Sequence, residues 1–362
     1  RYVPGYRVYA SGGGELYRRP FNVDRLEPTG PAEELASDVQ SSGYSYMPSF
    51  DVSPAGALVY RVGAPPTPAH TRMGLTDRAG REVQAFVARA PWTPRFSPDG
   101  RSVVYGANAP GQDFSDVWVT DLAAGTTQRL TADSKDNNDP TWSPNGRSLV
   151  YSSVRAATTK DLFLQALDGG AARRLTTRLG DEWSSDWAPD GRALLFTGVT
   201  AEDDYDIWLQ PADGGAARPY LATPAHESGA RLSPDGRWAA YTSDETGRDE
   251  VYVQSYPTPG RKTLVSPRGG AHPVWRRDGR ELYYWQEDEL IAVSIGWSGP
   301  GKSPVVRARA PLFRAAYVRG PHPNYDVSPD GTRFVLVTGL TRANRLVVAL
   351  HALDGAGHDD RR

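Results

Sequence analysis

Short runs of apolar and aromatic residues alternate with polar turns along almost the whole chain. Runs such as Ser102–Tyr105, Ser148–Tyr151 and Trp238–Tyr241 each follow a glycine-containing turn and are rich in aliphatic and aromatic residues, which favours strands. A second run, opened by an acidic residue, comes next, as at Asp116–Val119 and Glu250–Val253. The pattern predicts antiparallel strands and hairpins rather than helices.

A turn of the form Ser-Pro-Asp-Gly, with small variations, punctuates these strands seven times. Proline presets φ for an early turn position, and glycine supplies the positive φ at the end of the turn. The turn glycines follow one another at intervals of 44, 46, 45, 45, 43 and 52 residues; they are Gly56, Gly100, Gly146, Gly191, Gly236, Gly279 and Gly331. Four strands in a period of about 45 residues are typical of a β-propeller blade.

The sequence therefore predicts an all-β propeller of four-stranded antiparallel blades, with residues 1–362 as a single domain. Seven inner strands favour seven blades, and eight blades are the alternative. The last blade lacks an outermost strand, so we expect a strand within residues 1–40, most simply Ala32–Leu35, to close the ring. Tyr6–Phe21 is then a surplus hairpin, and residues 355–362 form a polar tail.

Composition narrows the classes of function. Lys and Arg number 41 and Asp and Glu 43, so the formal net charge of −2 provides no basic field for nucleic acid. The chain has no cysteine, which excludes disulfides and thiolate chemistry. No apolar run is long enough to span a bilayer, and no phosphate-binding or dinucleotide-binding motif is present. We therefore expect no cofactor, no nucleic acid, and a chain that does not itself cross the membrane.

The recurring acidic residues and tryptophans are expected to be structural. Asp99 and its equivalents occupy turn positions that favour Asp for backbone hydrogen bonding. Asp116 and the other acidic openers recur in register and are predicted to tie neighbouring strands by hydrogen bonds. Trp142 and its equivalents are predicted to pack between blades, whereas Trp183 is out of register and is a binding candidate.

The repeat resembles that of TolB-like β-propellers, in the order Ser-Pro-Asp-Gly-Arg, apolar strand, acidic-opened strand and Asp-Gly-Gly turn. Residues 13–30, 244–253, 275–284 and 325–334 most resemble the extracytoplasmic propellers of bacterial serine/threonine kinases, but the kinase motifs themselves are absent. The resemblance implies a non-catalytic module, periplasmic or otherwise extracytoplasmic, that binds protein partners. The module is then a scaffold or accessory subunit on the periplasmic face of a membrane protein complex. A ligand-sensing ectodomain of a receptor-kinase-like protein is the alternative.

Three histidines precede inner strands and are candidates for a ligand or metal site at the mouth of the channel. His226, His272 and His322 lie 10, 7 and 9 residues before their turn glycines. Asp139 occupies the repeat position of His272, and Glu182 lies near the same rim. Imidazole and carboxylate groups bind Zn²⁺ or Mn²⁺, so a metal-dependent lyase or hydrolase is a further alternative. Because the three offsets differ, we favour ordinary polar loop residues.

Segments that depart from the repeat are candidates for partner contacts. Pro65 and Pro66 lie in a proline-rich stretch, Trp297 lies in the insertion Gly296–Pro304, and Tyr17 lies in the surplus hairpin. Rigid loops and amphipathic aromatic side chains favour protein interfaces. We therefore expect a protein partner to contact at least one of these segments.

Overall fold

The structure is a computed structural model, which describes residues 2–10, 15–37, 39, 50–62, 71–112, 114–133, 135–155, 159–199, 204–298, 303–339 and 345–349. Every regular element in these ranges is a β-strand. Within the same ranges, no helix is long and apolar enough to cross a membrane. The sequence predicts a single domain, whereas the chain separates into two compact units. The first comprises Arg1–Thr67 and Thr341–Arg362, and the second comprises Pro68–Leu340.

The first unit contains two antiparallel sheets. One has five strands: β1 (Tyr2–Val3), β2 (Tyr6–Ala10), β3 (Leu16–Asn22), β4 (Glu27–Pro28) and β5 (Glu33–Ala36). The other has three: β6 (Phe50–Val52), β7 (Leu58–Val62) and β32 (Arg345–Ala349), with β7 in the middle. A small core of Val3, Val8, Leu16, Val39 and Leu58 is buried in this unit.

The second unit contains six four-stranded antiparallel sheets, which confirms that the repeat forms four-stranded antiparallel blades. The sixth blade combines strands from the two ends of the unit, β8 (Thr71–Asp77) and β9 (Glu82–Phe86) with β30 (Tyr325–Val327) and β31 (Arg333–Gly339). The other five blades follow in chain order: β10 (Arg89–Phe96), β11 (Ser102–Asn108), β12 (Ser115–Asp121), β13 (Thr127–Arg129); β14 (Asn137–Trp142), β15 (Ser148–Ser153), β16 (Asp161–Ala166), β17 (Arg173–Arg174); β18 (Glu182–Trp187), β19 (Ala193–Val199), β20 (Tyr205–Pro211), β21 (Arg218–Leu221); β22 (Glu227–Leu232), β23 (Trp238–Ser243), β24 (Glu250–Ser255), β25 (Lys262–Leu264); β26 (Ala271–Trp275), β27 (Glu281–Gln286), β28 (Glu289–Ser298), β29 (Ser303–Arg314).

The second unit closes into a ring. Its inner strands β10, β14, β18, β22, β26 and β30 contact one another in that order, and β30 returns to contact β10. The closure joins β31 to β8 along seven residue pairs, from Arg333 opposite Asp77 to Gly339 opposite Thr71. This pairing joins the hairpin β30–β31 to the hairpin β8–β9 and completes a four-stranded sheet. Neither hairpin therefore has an open edge where the two ends of the unit meet.

The prediction that Ala32–Leu35 closes the ring is wrong. The strand at this place, Glu33–Ala36, pairs with β3 inside the first unit. The closing strands are instead Thr71–Asp77 and Glu82–Phe86, joined by a turn at Gly80 with φ of 81°. They repeat the strand, glycine turn and strand pattern of the other outer hairpins, but they follow the proline-rich stretch and lack a Ser-Pro-Asp-Gly turn of their own.

The repeat turn has the predicted backbone chemistry. Gly100 adopts φ of 72°, and its amide donates to the Ser97 carbonyl at 2.8 Å. The Asp99 carboxylate accepts hydrogen bonds from the Ser97 hydroxyl at 2.6 Å and from the Arg101 amide at 3.1 Å. The Ser97 hydroxyl is the main reason that the pKa of Asp99 is lowered. The turn aspartates are therefore structural.

Two of the acidic openers, Asp116 and Glu250, make the predicted hydrogen bonds between neighbouring parts of the blade. Asp116 in β12, the third strand of its blade, accepts a hydrogen bond from the Thr131 hydroxyl at 2.9 Å and forms an ion pair with Arg129. These contacts tie β12 to the outermost strand β13 and to the chain just beyond it. Glu250 accepts from the Ser266 hydroxyl at 2.5 Å and pairs with Arg248 at 2.8 Å in the same way. Buried carboxylates that are hydrogen-bonded and paired in this manner stabilise the sheet.

The recurring tryptophans pack between blades, as predicted. The Trp142 indole donates a hydrogen bond of 3.2 Å to the carbonyl of Arg95 in the preceding blade. The Trp275 indole donates at the same distance to the carbonyl of Arg231. These contacts hold in place the backbone at two residues that face the axis of the ring.

Candidate functional site

Each inner strand presents one residue to the axis of the ring, five positions before its turn glycine. These six residues line a single cavity and are called the inner ring: Arg95, Thr141, Asp186, Arg231, Val274 and Asp326. In five of the six strands a register shift directly precedes the inner-ring residue. Such bulges re-aim side chains, which explains how a strand with buried residues on both faces turns one toward the axis.

The cavity, called the axial funnel, has a volume of about 330 Å³. Its walls include the indoles of Trp142, Trp187 and Trp275. Its rim carries one residue from each of six repeat turns: Pro98, Pro144, Pro189, Pro234, Arg277 and Pro329. Arg277 stands where the other five turns have proline, and its guanidinium donates a hydrogen bond to the Pro98 carbonyl. The funnel thus has a stiff, apolar rim with one cation and a charged floor.

The two carboxylates of the inner ring link neighbouring blades. Asp186 accepts hydrogen bonds from its neighbour Trp187 at 3.1 Å and from the amide of Leu232 in the next blade at 2.9 Å. Asp326 accepts from the amide of Phe96 at 2.9 Å, which joins the sixth blade to the first. Both carboxylates are therefore engaged by backbone donors.

The two guanidinium groups of the inner ring are not satisfied in this way. Arg95 is 4% exposed; its Nη2 donates to the Ser185 carbonyl at 3.0 Å, while Nε and Nη1 have no partner among the described residues. Arg231 is 7% exposed, and its Nε and Nη2 also lack a partner there. Buried polar groups in proteins are normally hydrogen-bonded, so these unpaired donors mark the funnel floor.

Burial governs the ionisation of the acidic groups around Arg95. It raises the pKa of Asp186 to about 7 and the pKa values of Asp139 and Asp326 to about 6. The positive charge of Arg95 opposes all three shifts. Burial lowers the pKa of Arg95, and the three carboxylates oppose that shift. The funnel floor is a low-dielectric site with closely balanced charges.

His272 is fully buried and both ring nitrogens are engaged. Its Nε2 lies 2.8 Å from the Gly320 carbonyl oxygen, and its Nδ1 lies 2.9 Å from the Tyr317 hydroxyl. Burial lowers the pKa of His272 to about 3, so the ring is neutral. His272 and Asp139 share a repeat position as predicted, and both adopt positive φ, 62° and 51°, at the bulge.

The other two histidines lie in different surroundings. His322 is buried against Trp183, with ring centroids 5.1 Å apart, and neither ring nitrogen has a partner among the described residues. His226 is half exposed and lies 3.3 Å from the Asp204 carboxylate. Burial lowers the pKa of His322 far below its usual range. Trp183, the aromatic residue out of register, also stacks on Tyr205 with centroids 5.6 Å apart.

The histidines and carboxylates predicted at the channel mouth do not assemble into a metal centre. Glu182 accepts a hydrogen bond from the Thr176 hydroxyl and lies 3.5 Å from Arg178, so it is engaged by the segment that connects β17 to β18. Across the described ranges, no three His, Cys, Asp or Glu residues are grouped so as to hold a metal ion.

Of the predicted partner-binding residues, the structure describes two. Trp297 is half-buried in β28 and stacks on Trp275, with ring centroids 6.4 Å apart, so it extends the packing between blades. Tyr17 lies in β3 of the first unit and stacks on Tyr9, with centroids 5.8 Å apart. Pro65, Pro66 and the 355–362 tail lie outside the described residues.

The inner ring does not stand out in the amino-acid sequence. Its charged members, Arg95, Asp186, Arg231 and Asp326, alternate with buried aromatic and aliphatic residues in short strands that are otherwise assigned to packing. The available signal is positional: aligning the repeats on their turn glycines shows charge at one buried-strand position in four blades. Only the ring geometry shows that these positions meet.

The fold and the funnel define a closed β-propeller with a polar cavity on its axis. Family models match most of the second unit and part of the first: the TolB beta propeller domain over residues 73–202, and the lipoprotein LpqB beta-propeller domain over residues 213–359. Both matches agree with the resemblance of the repeats to TolB-like β-propellers. The closer likeness to kinase ectodomains stays a prediction.

Solved structures share the fold at low sequence identity. A putative TolB from Agrobacterium tumefaciens has a TM-score of 0.58 and 20% identity, covering 75% of this chain and 99% of that one. TolB from Acinetobacter baumannii has a TM-score of 0.55 and 17% identity, covering 94% and 81%. A chain of hydrazine synthase from Kuenenia stuttgartiensis has a TM-score of 0.55 and 13% identity, covering 86% and 97%.

A curated relative matches a short stretch. The "uncharacterized peptidase YuxL" of Bacillus subtilis (strain 168) is 29% identical over 77 residues, which is 20% of this chain and 12% of that protein. The match therefore covers a small part of the relative, and the word peptidase describes that protein alone.

Proposed function

We propose that this chain is a non-catalytic, extracytoplasmic β-propeller that binds a protein partner at the rim of its axial funnel. The observation that carries the proposal is the funnel itself, a cavity of about 330 Å³ whose rim carries five prolines in a closed ring. A preorganised rim lowers the entropic cost of association. Indoles in the wall and Arg277 at the rim are residue types enriched in protein interfaces.

A non-catalytic role is supported by the bonding of the candidate acid–base groups. His272 has both ring nitrogens engaged and a pKa lowered to about 3, which is far from a useful general base. Asp186 accepts hydrogen bonds from two backbone amides, and Glu182 accepts one from the Thr176 hydroxyl. In this proposal, His272, Asp186 and Glu182 stabilise the fold and take no part in catalysis.

The extracytoplasmic location rests on similarity. TolB-like propellers are typically periplasmic, and one of the two matching family models is named for a lipoprotein. The proposal therefore places the chain outside the cytoplasm, with the periplasmic face of a membrane protein complex as one host. Tyr17, Pro65 and Pro66 remain candidates for further contacts with that host.

Site-specific photo-cross-linking in the native host tests the proposal. A photoreactive amino acid at Arg277 or Pro144, on the funnel rim, is expected to capture one discrete protein partner from the cell envelope. The matched control is the same amino acid at Val87, which is fully exposed away from the funnel lining. Identical products from the rim and from Val87, or no product from the rim, would show that the rim does not bind a partner.

Ligand sensing is the second candidate function, and one observation favours it. The guanidinium groups of Arg95 and Arg231 have unpaired donors at the floor of a cavity of small-molecule size.

A further inference from the structure

The inner ring has an unmet demand for hydrogen-bond acceptors. Of its four charged groups, the two carboxylates are engaged by backbone amides of Trp187, Leu232 and Phe96. The two guanidinium groups retain four nitrogens without a partner among the described residues, which are Nε and Nη1 of Arg95 and Nε and Nη2 of Arg231. The charges around the axis are therefore not two closed ion pairs.

The free donors of Arg231 have a specific geometry. Nε and Nη2 form one edge of the planar guanidinium, and their two N–H groups point in parallel. Such a fork matches the two oxygens of a carboxylate, which accepts both hydrogen bonds at once. The Trp275 indole holds the Arg231 carbonyl, so the backbone that carries this fork is fixed.

The cations are not a by-product of the repeat. The equivalent positions in the second and fifth blades hold Thr141 and Val274, which fill the ring without charge. A buried unpaired donor costs folding free energy, and a propeller of this type can place a neutral residue there. Two arginines that line one cavity and keep unpaired donors thus point to a ligand that supplies acceptors.

We propose that the axial funnel is a carboxylate-binding site, in which Arg231 forms the bidentate contact and Arg95 donates a second set of hydrogen bonds. The proposal rests on the proposed function, because it names the chemical group that the funnel of that binding module recognises. A cavity of about 330 Å³ holds a small dicarboxylate or the terminal residue of a peptide. Arg277 at the rim adds a third cation on the path of entry.

Titration calorimetry on the intact chain tests the site with three probes. Succinate represents a free small carboxylate, N-acetyl-tetraalanine with a free C-terminus represents a peptide carboxylate, and its C-terminal amide is the uncharged control. We expect saturable binding of succinate or of the free-acid peptide and none of the amide. Whichever carboxylate binds identifies the source of the ligand group. If neither binds, or if the amide binds as well as the acid, the proposal is wrong.

Variants locate the site. Arg231→Gln is expected to lower the affinity for the carboxylate at least about tenfold, because it removes charge-assisted hydrogen bonds. Arg231→Lys keeps the charge but removes the fork and is expected to bind more weakly than the wild type. The control is Arg280→Gln, which removes the same charge from an exposed turn outside the funnel lining and leaves binding unchanged. Equal affinity of the Arg231→Gln and wild-type chains would overturn the assignment.

A readout on the wild-type chain avoids dependence on the fold of any variant. In nitrogen-15 NMR spectra, two arginine Nε–H signals, those of Arg95 and Arg231, are expected to shift on saturation with the carboxylate that binds. Uniform small shifts of all arginines would contradict a defined site. The cross-linking at Arg277 is repeated in Arg231→Gln: a partner that is still captured means that the proposed function holds while the carboxylate is not its anchor.

Discussion

The carboxylate of Asp326 in β30 accepts a hydrogen bond of 2.9 Å from the backbone amide of Phe96 in β10, 230 residues away along the chain. Asp186 in β18 makes the equivalent contact, also at 2.9 Å, to the backbone amide of Leu232 in β22, the inner strand of the next blade. Each acid thus reaches an amide on the next inner strand, where the sheet ladder supplies no acceptor. The same position of the repeat serves as a joint between blades and as part of the funnel floor.

Replacing Asp326 by Ala is expected to destabilise the second unit by about 1–3 kcal/mol, because the Phe96 amide is left buried without an acceptor. The matched variant Asp326→Asn retains an acceptor oxygen and removes a charge that burial disfavours, so its stability is expected to lie near that of the wild type. Denaturant unfolding measures both. A smaller loss for Ala than for Asn would show that the bond to Phe96 does not stabilise the closure.

The raised pKa of Asp186 determines how the stability of the second unit is expected to change with pH. Its pKa is raised from the ordinary 3.8 to about 7 in the folded chain, mainly by burial and despite Arg95. The folded state therefore binds the proton more tightly, and stability falls as pH rises from about 4 to about 7, at most by about 1.4 kcal/mol per pH unit. Asp326 also lies near Arg95, and burial raises its pKa to about 6, so its titration lowers stability with rising pH in the same way.

The test compares the wild type with Asp186→Asn, which has no titrating group at this position. The difference in unfolding free energy between the two is expected to shift in favour of the variant across that pH window and to be constant above it. A difference that does not change with pH would mean that the carboxylate titrates as it does in the unfolded chain.

Arg78 is expected to stabilise the ring where the closing strands meet the fifth blade. Its guanidinium donates to Glu281 at 3.0 and 3.1 Å and to the Tyr283 hydroxyl at 2.7 Å. Arg78→Ala is therefore expected to cost about 1–2 kcal/mol. The control is Arg81→Ala in the same turn, whose side chain is 80% exposed and pairs only with Asp77 among the ion pairs found, and it is expected to cost less than about 1 kcal/mol. Equal losses would remove the special role of Arg78.

Deletions distinguish the closing strands from the N-terminal strands. Removing residues 2–37 is expected to leave the calorimetric unfolding transition of the second unit in place, because the sixth blade takes its outer strands from residues 71–86. Removing residues 71–86 is expected to abolish cooperative unfolding, since β31 loses its seven-residue ladder to β8. Loss of the transition in the first deletion alone would restore a closing role for the N-terminal strands.

Trp297→Ala is expected to reduce stability rather than to act on a partner alone. The indole stacks on Trp275 and lies 6.4 Å from Trp238, so truncation opens a cavity between blades and costs about 1–3 kcal/mol. Thermal unfolding of the variant measures the loss. An unchanged transition would return Trp297 to the set of free interface residues.

The strands, the turns and the class of fold follow from the sequence because they are local. Ser97, Asp99 and Gly100 interact within a few residues, so the turn that they form is written in adjacent positions and repeats with the blade. The acidic openers follow from the same logic, since Asp116 and Thr131 meet within one blade. Periodicity then determines a propeller, because a four-stranded sheet must cover its faces with copies of itself.

Ring closure and the funnel depend on tertiary structure, because their partners are far apart in the chain. Thr71–Asp77 pairs with Arg333–Gly339, and no local rule prefers it over the strand at Ala32–Leu35 as the closing edge. The inner ring is decided in the same way: Arg95, Asp186 and Arg231 occupy ordinary strand positions, and they share one low-dielectric cavity only because closure brings six inner strands to a common axis. Burial at that axis, which the sequence does not state, is what raises the pKa of Asp186 and leaves the donors of Arg231 unpaired.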